Sequence, residues 1–232
     1  MHITLTGNLG SGKSTISRIF KDKFNYEIYS TGRVIRELAE ERGITVLEMN
    51  KLMSEDNRYD HMIDDKSAQI SRERQDDDIF YDSRLAWHFV GKAFRVFLSV
   101  SLDTSVKRIM GDNRGSVESF KSYDECKASI VARVEEEERR YREIYGIDYF
   151  DYTNYNLVLD SSCCPPEVLA QILYDEAVEY YKAMDEGRDY TRLIISTERG
   201  LGDFEEECQM AGVDPEVKSY DGYEFLVLSI EK

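Results

Sequence analysis

The sequence predicts an α/β fold, a five-stranded parallel sheet flanked by helices, and three observations carry that prediction. A short β-rich run, HITLTG, passes through the glycine-rich stretch GNLGSGKST into a segment where Ile16, Ile19 and Phe20 are spaced for one buried helical face. Further β-rich runs then alternate with helical patterns, the order that builds a parallel sheet. Two of the runs, DIFYD and FRVFLSVS, are nearly continuous in apolar residues, as strands covered on both faces tend to be.

Each element has a local cause. After the first strand and helix, YEIYS (26–30) reads as a second strand leading into TGRVIRELAEERG, whose helical periodicity ends at Gly43. Thr45 and Glu48 have the spacing of a capping box for another helix through Val46, Leu47, Met49 and Leu52. DIFYD ends the third strand at Asp82, and FRVFLSVS ends the fourth at Ser101. From about Asp112 to Arg142 the chain is charged and strongly helical, and NLVLD (156–160) supplies a fifth strand. Pro165 and Pro166 open a helix running to about Lys182, because a first helical turn has no use for the missing amide proton.

Beyond that point the composition shifts. Residues 183–232 hold five Lys or Arg against thirteen Asp or Glu, half of the whole chain's net negative charge. TRLIIS, a helix through Phe204 and Met210, and the hairpin VKSYDGYEFLVLS turning at Asp221-Gly222 predict a small β-α-β-β appendage. The expected division is a catalytic domain over 1–182 and an acidic C-terminal extension over 183–232, which extends the sheet or forms a dimer.

Composition bounds the function. At 232 residues, 41% hydrophobic and 12% aromatic, the chain has material for one sizeable core. No stretch approaches the roughly 18 apolar residues that span a membrane. A net charge of -16 speaks against a general nucleic-acid binder, which needs a basic footprint to displace counterions. Cys126, Cys163, Cys164 and Cys208 form neither a disulfide framework nor zinc spacing and read as reduced thiols, and the three histidines are scattered. MHITLTG runs straight into the glycine motif without the pattern of a leader, so a cytoplasmic location is expected.

Gly7-Asn8-Leu9-Gly10-Ser11-Gly12-Lys13-Ser14 fits G-x-x-x-x-G-K-[ST] in full and is followed by Thr15. Glycines let successive backbone N–H groups turn inward around a phosphate chain, the following helix presents its positive end, and the lysine bridges the outer phosphates. The expectation is a P-loop NTPase binding ATP, with Ser14 as a Mg²⁺ ligand. Asp82, at the end of an apolar strand, is the second expected metal ligand.

An acceptor that is itself a phosphate ester needs arginines that fork onto its oxygens. In an acidic chain they are few. Arg36 lies one turn into the helix after Ser30-Thr31-Gly32, and Arg84 lies two residues beyond Asp82. In RVEEEERRYREIYGID, Arg133, Glu137 and Arg140 fall at i, i+4 and i+7 on one helical face. The same run also offers the pairs Glu135–Arg139, Glu136–Arg140 and Glu138–Arg142, which alone would make it a solvated helix.

The combination of STGRVIRELAEERG, D-x-x-I-D at Asp60 to Asp64, SRLAW after the third strand, and RVEEEERRYREIYGIDYFD resembles the cytidylate kinase family in its compact archaeal-type branch, over roughly residues 1–182. The resemblance implies the nucleoside monophosphate kinase variant of the P-loop fold, with an acceptor-binding helical segment at about 31–75 and a mobile helical lid at about 111–142. It implies phosphoryl transfer from ATP to CMP or dCMP with Mg²⁺, by a monomer or dimer. It assigns Thr31, Arg36, Arg84, Glu137 and Arg140 to the acceptor nucleotide. Lys13, Arg84, Arg133 and Arg140 would act on the transferring group, and Arg108 would face the ATP base. Two other expectations stay open: a P-loop kinase for a different small acceptor, and a nucleotide-dependent regulatory protein without turnover.

Overall fold

A computed structural model describes residues 1–45, 48, 49, 52, 58–111 and 120–230. One sheet of eight strands organises it, in the order β2-β3-β1-β4-β5-β6-β8-β7. The strands are β1 (His2–Gly7), β2 (Glu27–Ser30), β3 (Ile79–Asp82), β4 (Phe94–Ser99), β5 (Leu157–Asp160), β6 (Arg192–Ser196), β7 (Glu216–Tyr220) and β8 (Tyr223–Ser229). The five expected parallel strands are present. β6 then adds to β5 in parallel, and β8 and β7 follow in antiparallel pairing. The pairing of β5 with β6 therefore crosses the expected boundary at 182/183 without a break in the sheet. Asp221 and Gly222 take positive φ of 49° and 83° at the β7–β8 turn, the backbone that a two-residue hairpin requires.

Helices α1 (Lys13–Phe24) and α7 (Pro166–Asp185) cover one face of the sheet. Phe20 and Ile16 of α1 and Leu169, Ile172 and Leu173 of α7 meet Ile3, Leu5, Phe80, Val96 and Leu98 there. Ile19 lies at the margin of the same cluster. The other face packs Phe97, Val158, Leu193, Ile195 and Leu228 against Tyr141, Tyr149, Tyr155 and Phe204. Burial from both sides is the reason that β3 and β4 read as nearly continuous apolar runs, and in β1 even Thr4 and Thr6 are fully buried alongside Ile3 and Leu5.

The connecting helices are α2 (Thr31–Glu41), α3 (Arg58–Glu73), α4 (Ala86–Phe89), α5 (Leu102–Gly111), α6 (Tyr123–Tyr145) and α8 (Glu205–Ala211). Ser30 caps α2, its side chain accepting from the Arg33 amide. Thr45 and Glu48 form the expected capping box: the Thr45 amide donates to Glu48 Oε2 at 2.8 Å and the Glu48 amide to Thr45 Oγ1 at 3.2 Å. Val46 and Leu47 of the helix expected beyond it lie outside the described residues, as do 112–119 of the expected lid. The side chain of Asp60 lies outside them as well. α6 begins at Tyr123, with Ser122 accepting from the Glu125 amide, and ends at Gly146 in the left-handed region.

Register gathers the functional residues. Ser30 pairs with Asp82, Leu5 with Asp82, Gly7 with Leu98, and Ser99 with Asp160. The carboxyl ends of β2, β3, β1, β4 and β5 thus form one row. That edge is where open parallel sheets bind ligands, because loops and helix N-termini converge there.

Candidate active site

The phosphate loop closes between β1 and α1 as its sequence demands. A Cβ on Gly7 would lie 2.3 Å from the Leu98 carbonyl oxygen, so only glycine lets the loop leave β1 against β4. Asn8 fastens the loop to β4: its amide donates to the Leu98 carbonyl at 3.2 Å and its Oδ1 accepts from the Val100 amide at 3.1 Å. Ser105 of α5 donates to the Leu9 carbonyl at 2.7 Å.

Lys13 opens α1, and its Nζ donates to the carbonyls of Gly7 at 2.9 Å and Asn8 at 3.0 Å. Burial, aided by the Arg84 guanidinium, lowers its pKa to about 7, with Asp82 and Glu137 opposing. Burial raises the pKa of Asp82, against the opposing pull of Lys13, a hydrogen bond from Ser17 and Arg84. The two groups therefore sit in a place suited to holding a further charged species.

A cavity of about 460 Å³ opens beside Lys13 and Asp82, lined by Thr31 and Ile35 of α2, Ile63 and Asp64 of α3, Ser83 to Leu85 after β3, and Arg133, Glu137, Arg140, Tyr141 and Tyr145 of α6. Three of the expected arginines converge on it. Arg84 Nε lies 3.0 Å from Glu137 Oε2, and Arg84 Nη1 donates to the Gly7 carbonyl at 3.2 Å. Arg133 Nε lies 3.6 Å from Glu137 Oε1. Arg140 lies over the Tyr141 ring at 5.2 Å. Glu137, only 15% exposed, is thus the counter-ion that holds two guanidinium groups on the cavity wall. Thr31 Oγ1 is buried there without a hydrogen-bond partner, an atom left for a ligand to satisfy.

Arg36 stands apart. It is exposed on α2 and lies outside the set of residues lining this cavity, while Thr31 and Ile35 present the lining face of the same helix. Asp64 and Tyr145 are among the lining residues that residue spacing missed. Asp64 is 7% exposed, and the Tyr145 hydroxyl donates to its Oδ2 across 81 residues of sequence. The D-x-x-I-D run marks Asp64, but nothing local marks its partner.

A second cavity, of about 330 Å³, lies on the other side of the loop, lined by Gly10, Ser11, Gly12, Ser14, Thr15, Arg108, Cys164 and Pro166 among others. Arg108 Nη1 donates to the Gly10 carbonyl at 3.2 Å, and Nη2 donates to the Ser161 carbonyl at 2.5 Å. Ser11 Oγ is a second buried hydroxyl without a partner. The loop thus separates two pockets, one of them ringed by arginines. Among the described residues no cluster of three or more His, Cys, Asp or Glu could hold a metal, and no helix is long and apolar enough to cross a membrane.

A phosphate loop with its lysine between two cavities, on a sheet of this order, defines a nucleotide-binding protein of the P-loop class. The sequence profile of the cytidylate kinase-like family matches residues 2–163. Relatives named cytidylate kinase agree: one from Haloarcula marismortui is 34% identical over 190 residues, 81% of this chain and 95% of its own. One from Natronomonas pharaonis is 36% identical with the same coverage, and one from Methanococcoides burtonii is 34% identical over 75% of this chain and 94% of its own. Among solved structures, the shikimate kinase of Aquifex aeolicus shares the fold at a TM-score of 0.51 and 16% identity, covering 78% of this chain and 98% of its own. An uncharacterized protein of Eubacterium ventriosum superposes at a TM-score of 0.55 and 11% identity, over 77% and 98%. The chain belongs to the cytidylate kinase-like family and is a kinase.

Proposed function

We propose that the protein transfers the γ-phosphate of ATP to CMP or dCMP, giving ADP and the cytidine diphosphate. The observation that carries this is the convergence of Arg84, Arg133 and Arg140 on a cavity that begins at Lys13. A neutral hydroxyl acceptor has no use for that much positive charge, whereas a nucleotide phosphate must be brought against a polyphosphate of like sign.

The family name of the relatives, each a cytidylate kinase, supports a cytosine nucleotide. Asp64 supports it chemically. An ionised carboxylate only accepts hydrogen bonds, so beside a pyrimidine it suits the exocyclic amino group of cytosine and repels the carbonyl that uracil carries there. Tyr145, donating to Asp64, orients the carboxylate.

ATP would place its phosphates in the loop and its base toward Arg108. An oxygen of the acceptor phosphate attacks the γ-phosphorus, the bond to the β–γ bridging oxygen breaks, and ADP departs with that electron pair. No general base is needed, since the attacking oxygen is already ionised. Lys13 and the three arginines stabilise the charge on the equatorial oxygens. Ser14 and Asp82 would hold Mg²⁺, because a hydroxyl and a carboxylate are hard oxygen donors and this ion keeps most of its waters when bound with phosphates. A bound cation would also relieve the raised pKa of Asp82. Held there, Mg²⁺ would supply neutralisation of the transferring phosphates.

A coupled assay of CMP, dCMP, UMP and AMP with ATP and Mg²⁺ tests the proposal. CMP and dCMP are expected to be preferred over UMP by on the order of 10²-fold in kcat/KM, and D64N is expected to shrink that ratio at least about tenfold. Turnover of none of the four would end the proposal, and an unchanged ratio in D64N would end the role of Asp64.

A further inference from the structure

The C-terminal extension reaches back to the functional edge of the sheet. In the turn after β6, Arg199 is only 11% exposed, and its Nη1 donates to Ser99 Oγ and to Asp160 Oδ1, each at 2.8 Å. Those two partners are the last residues of β4 and β5. Nη2 lies 3.0 Å from Asp203 Oδ2, and the guanidinium stands 5.0 Å from the centre of the Phe204 ring. Asp160 is fully buried; Ser162 also donates to its Oδ1, and the Ser196 amide donates to its Oδ2.

The next residue, Ser161, is the seat of Arg108, which donates to its carbonyl from Nη2 and to its hydroxyl from Nη1. Ser161 is in turn fixed to β4, its amide and hydroxyl both donating to the Ser99 carbonyl at 2.8 and 2.9 Å. A continuous polar chain therefore runs from Arg199 through Asp160 and Ser161 to Arg108 and the phosphate loop. The family profile ends at residue 163, so Arg108 and Asp160 lie inside the matched region and Arg199 comes from outside it.

We propose that Arg199 is a positioning residue for the ATP-base pocket: by neutralising Asp160 and fastening the loop after β5, it keeps Arg108 turned toward the nucleotide. A buried carboxylate deprived of its cation must find another or take a proton. Arg108 already feels the attraction of Asp160 and is the cation at hand to replace Arg199. Without Arg199 it is drawn from the Gly10 carbonyl toward Asp160, and the pocket loses its guanidinium. The extension is then part of the donor site and more than a cover for a sheet edge.

The inference rests on the ATP reading above, and steady-state kinetics of R199Q, R199K, R108M and R108M/R199Q with ATP and CMP separate the two. A wild-type protein that turns over neither substrate contradicts the functional proposal before Arg199 is reached. With an active wild type, R199Q is expected to raise KM for ATP about tenfold while KM for CMP and kcat stay within about twofold. In the R108M background R199Q is expected to add nothing, because Arg199 acts through Arg108. R199K, whose single ammonium cannot reach Ser99, Asp160 and Asp203 together, is expected to raise KM for ATP about threefold, and it serves as the test should R199Q not fold. An unchanged KM for ATP, an equal rise in both KM values, or additive effects of R108M and R199Q would overturn the inference.

Discussion

Asp82 is a buried carboxyl at the end of β3, and the proposed mechanism uses it as a metal ligand. Burial raises its pKa above that of a free carboxyl, so the ionised side chain opposes folding at neutral pH, and the penalty vanishes as pH falls below the unfolded value. D82N removes the charge. The nucleotide-free variant is expected to melt higher than wild type by on the order of 2–4 °C, the shift that about 1 kcal/mol brings in a domain of this size. On the proposed mechanism, in which Asp82 holds Mg²⁺, its kcat is expected to fall about 10²-fold. Calorimetry and an assay on one preparation check both, and a lower melting temperature would show that the carboxylate stabilises the fold.

At this scale the sequence revealed what depends on short spacing. The phosphate loop is legible because its backbone geometry demands its residues in order, and Arg133, Glu137 and Arg140 because helical period puts them on one face. Arg84 is legible from its place just past a strand end. Arg36 has the same local credentials, yet its helix turns Thr31 and Ile35 to the cavity. Asp64–Tyr145 and Asp160–Arg199 join residues far apart in sequence, and only the tertiary arrangement makes them partners.

Among the elements, α6 supplies five of the residues that line the cavity beside Lys13. Its first half packs Cys126 and Ile130 against Val106 of α5, with Leu9 of the phosphate loop alongside, and its second half sends Tyr141 into the core under the sheet. Its charged face holds the pairs Arg142–Glu138 and Arg139–Glu143 besides the cavity-facing Glu137 contacts. Of the expected pairs Glu138–Arg142 forms, while Arg139 turns to Glu143 in place of Glu135, and Arg133, Glu137 and Arg140 line the cavity. The helix ends near the expected Arg142, at Tyr145, and its start at Tyr123 is marked by Ser122 with Glu125 three positions on, while 112–119 of the expected run lie outside the described residues. S122A is expected to lower unfolding free energy by about 1 kcal/mol, the usual worth of such a cap. Urea titration reads this directly, and a change under about 0.3 kcal/mol would mean that tertiary packing alone defines the helix start.

The whole molecule is one sheet, and that governs how the extension can be treated. Leu193, Ile194, Ile195, Phe225 and Leu228 are at most 1% exposed and complete both faces of the core next to β5. Each buried side chain of this kind contributes about 1.5–3 kcal/mol, so five of them rival the 5–15 kcal/mol that holds an ordinary domain together. A chain ending at Asp185 is therefore expected to lose cooperative unfolding and to aggregate through the exposed β5 edge. Circular dichroism melting with size-exclusion chromatography checks this; a monomer with a wild-type transition would show that the parallel core stands alone. The β-α-β-β order and the hairpin turn were legible because turns announce themselves locally, while pairing with β5 is a long-range choice that pattern alone does not encode.

The central claim is that a few guanidinium groups, in a protein of net charge -16, meet where the phosphate of one nucleotide approaches that of another. Single-turnover phosphoryl transfer from ATP to CMP, measured for wild type, R84M, R133M and R140M with folding confirmed for each, tests it most directly. Each arginine variant is expected to slow the transfer step by on the order of 10²-fold or more, as removal of charge stabilisation in a transition state does. Rates within about twofold of wild type in all three would contradict the account.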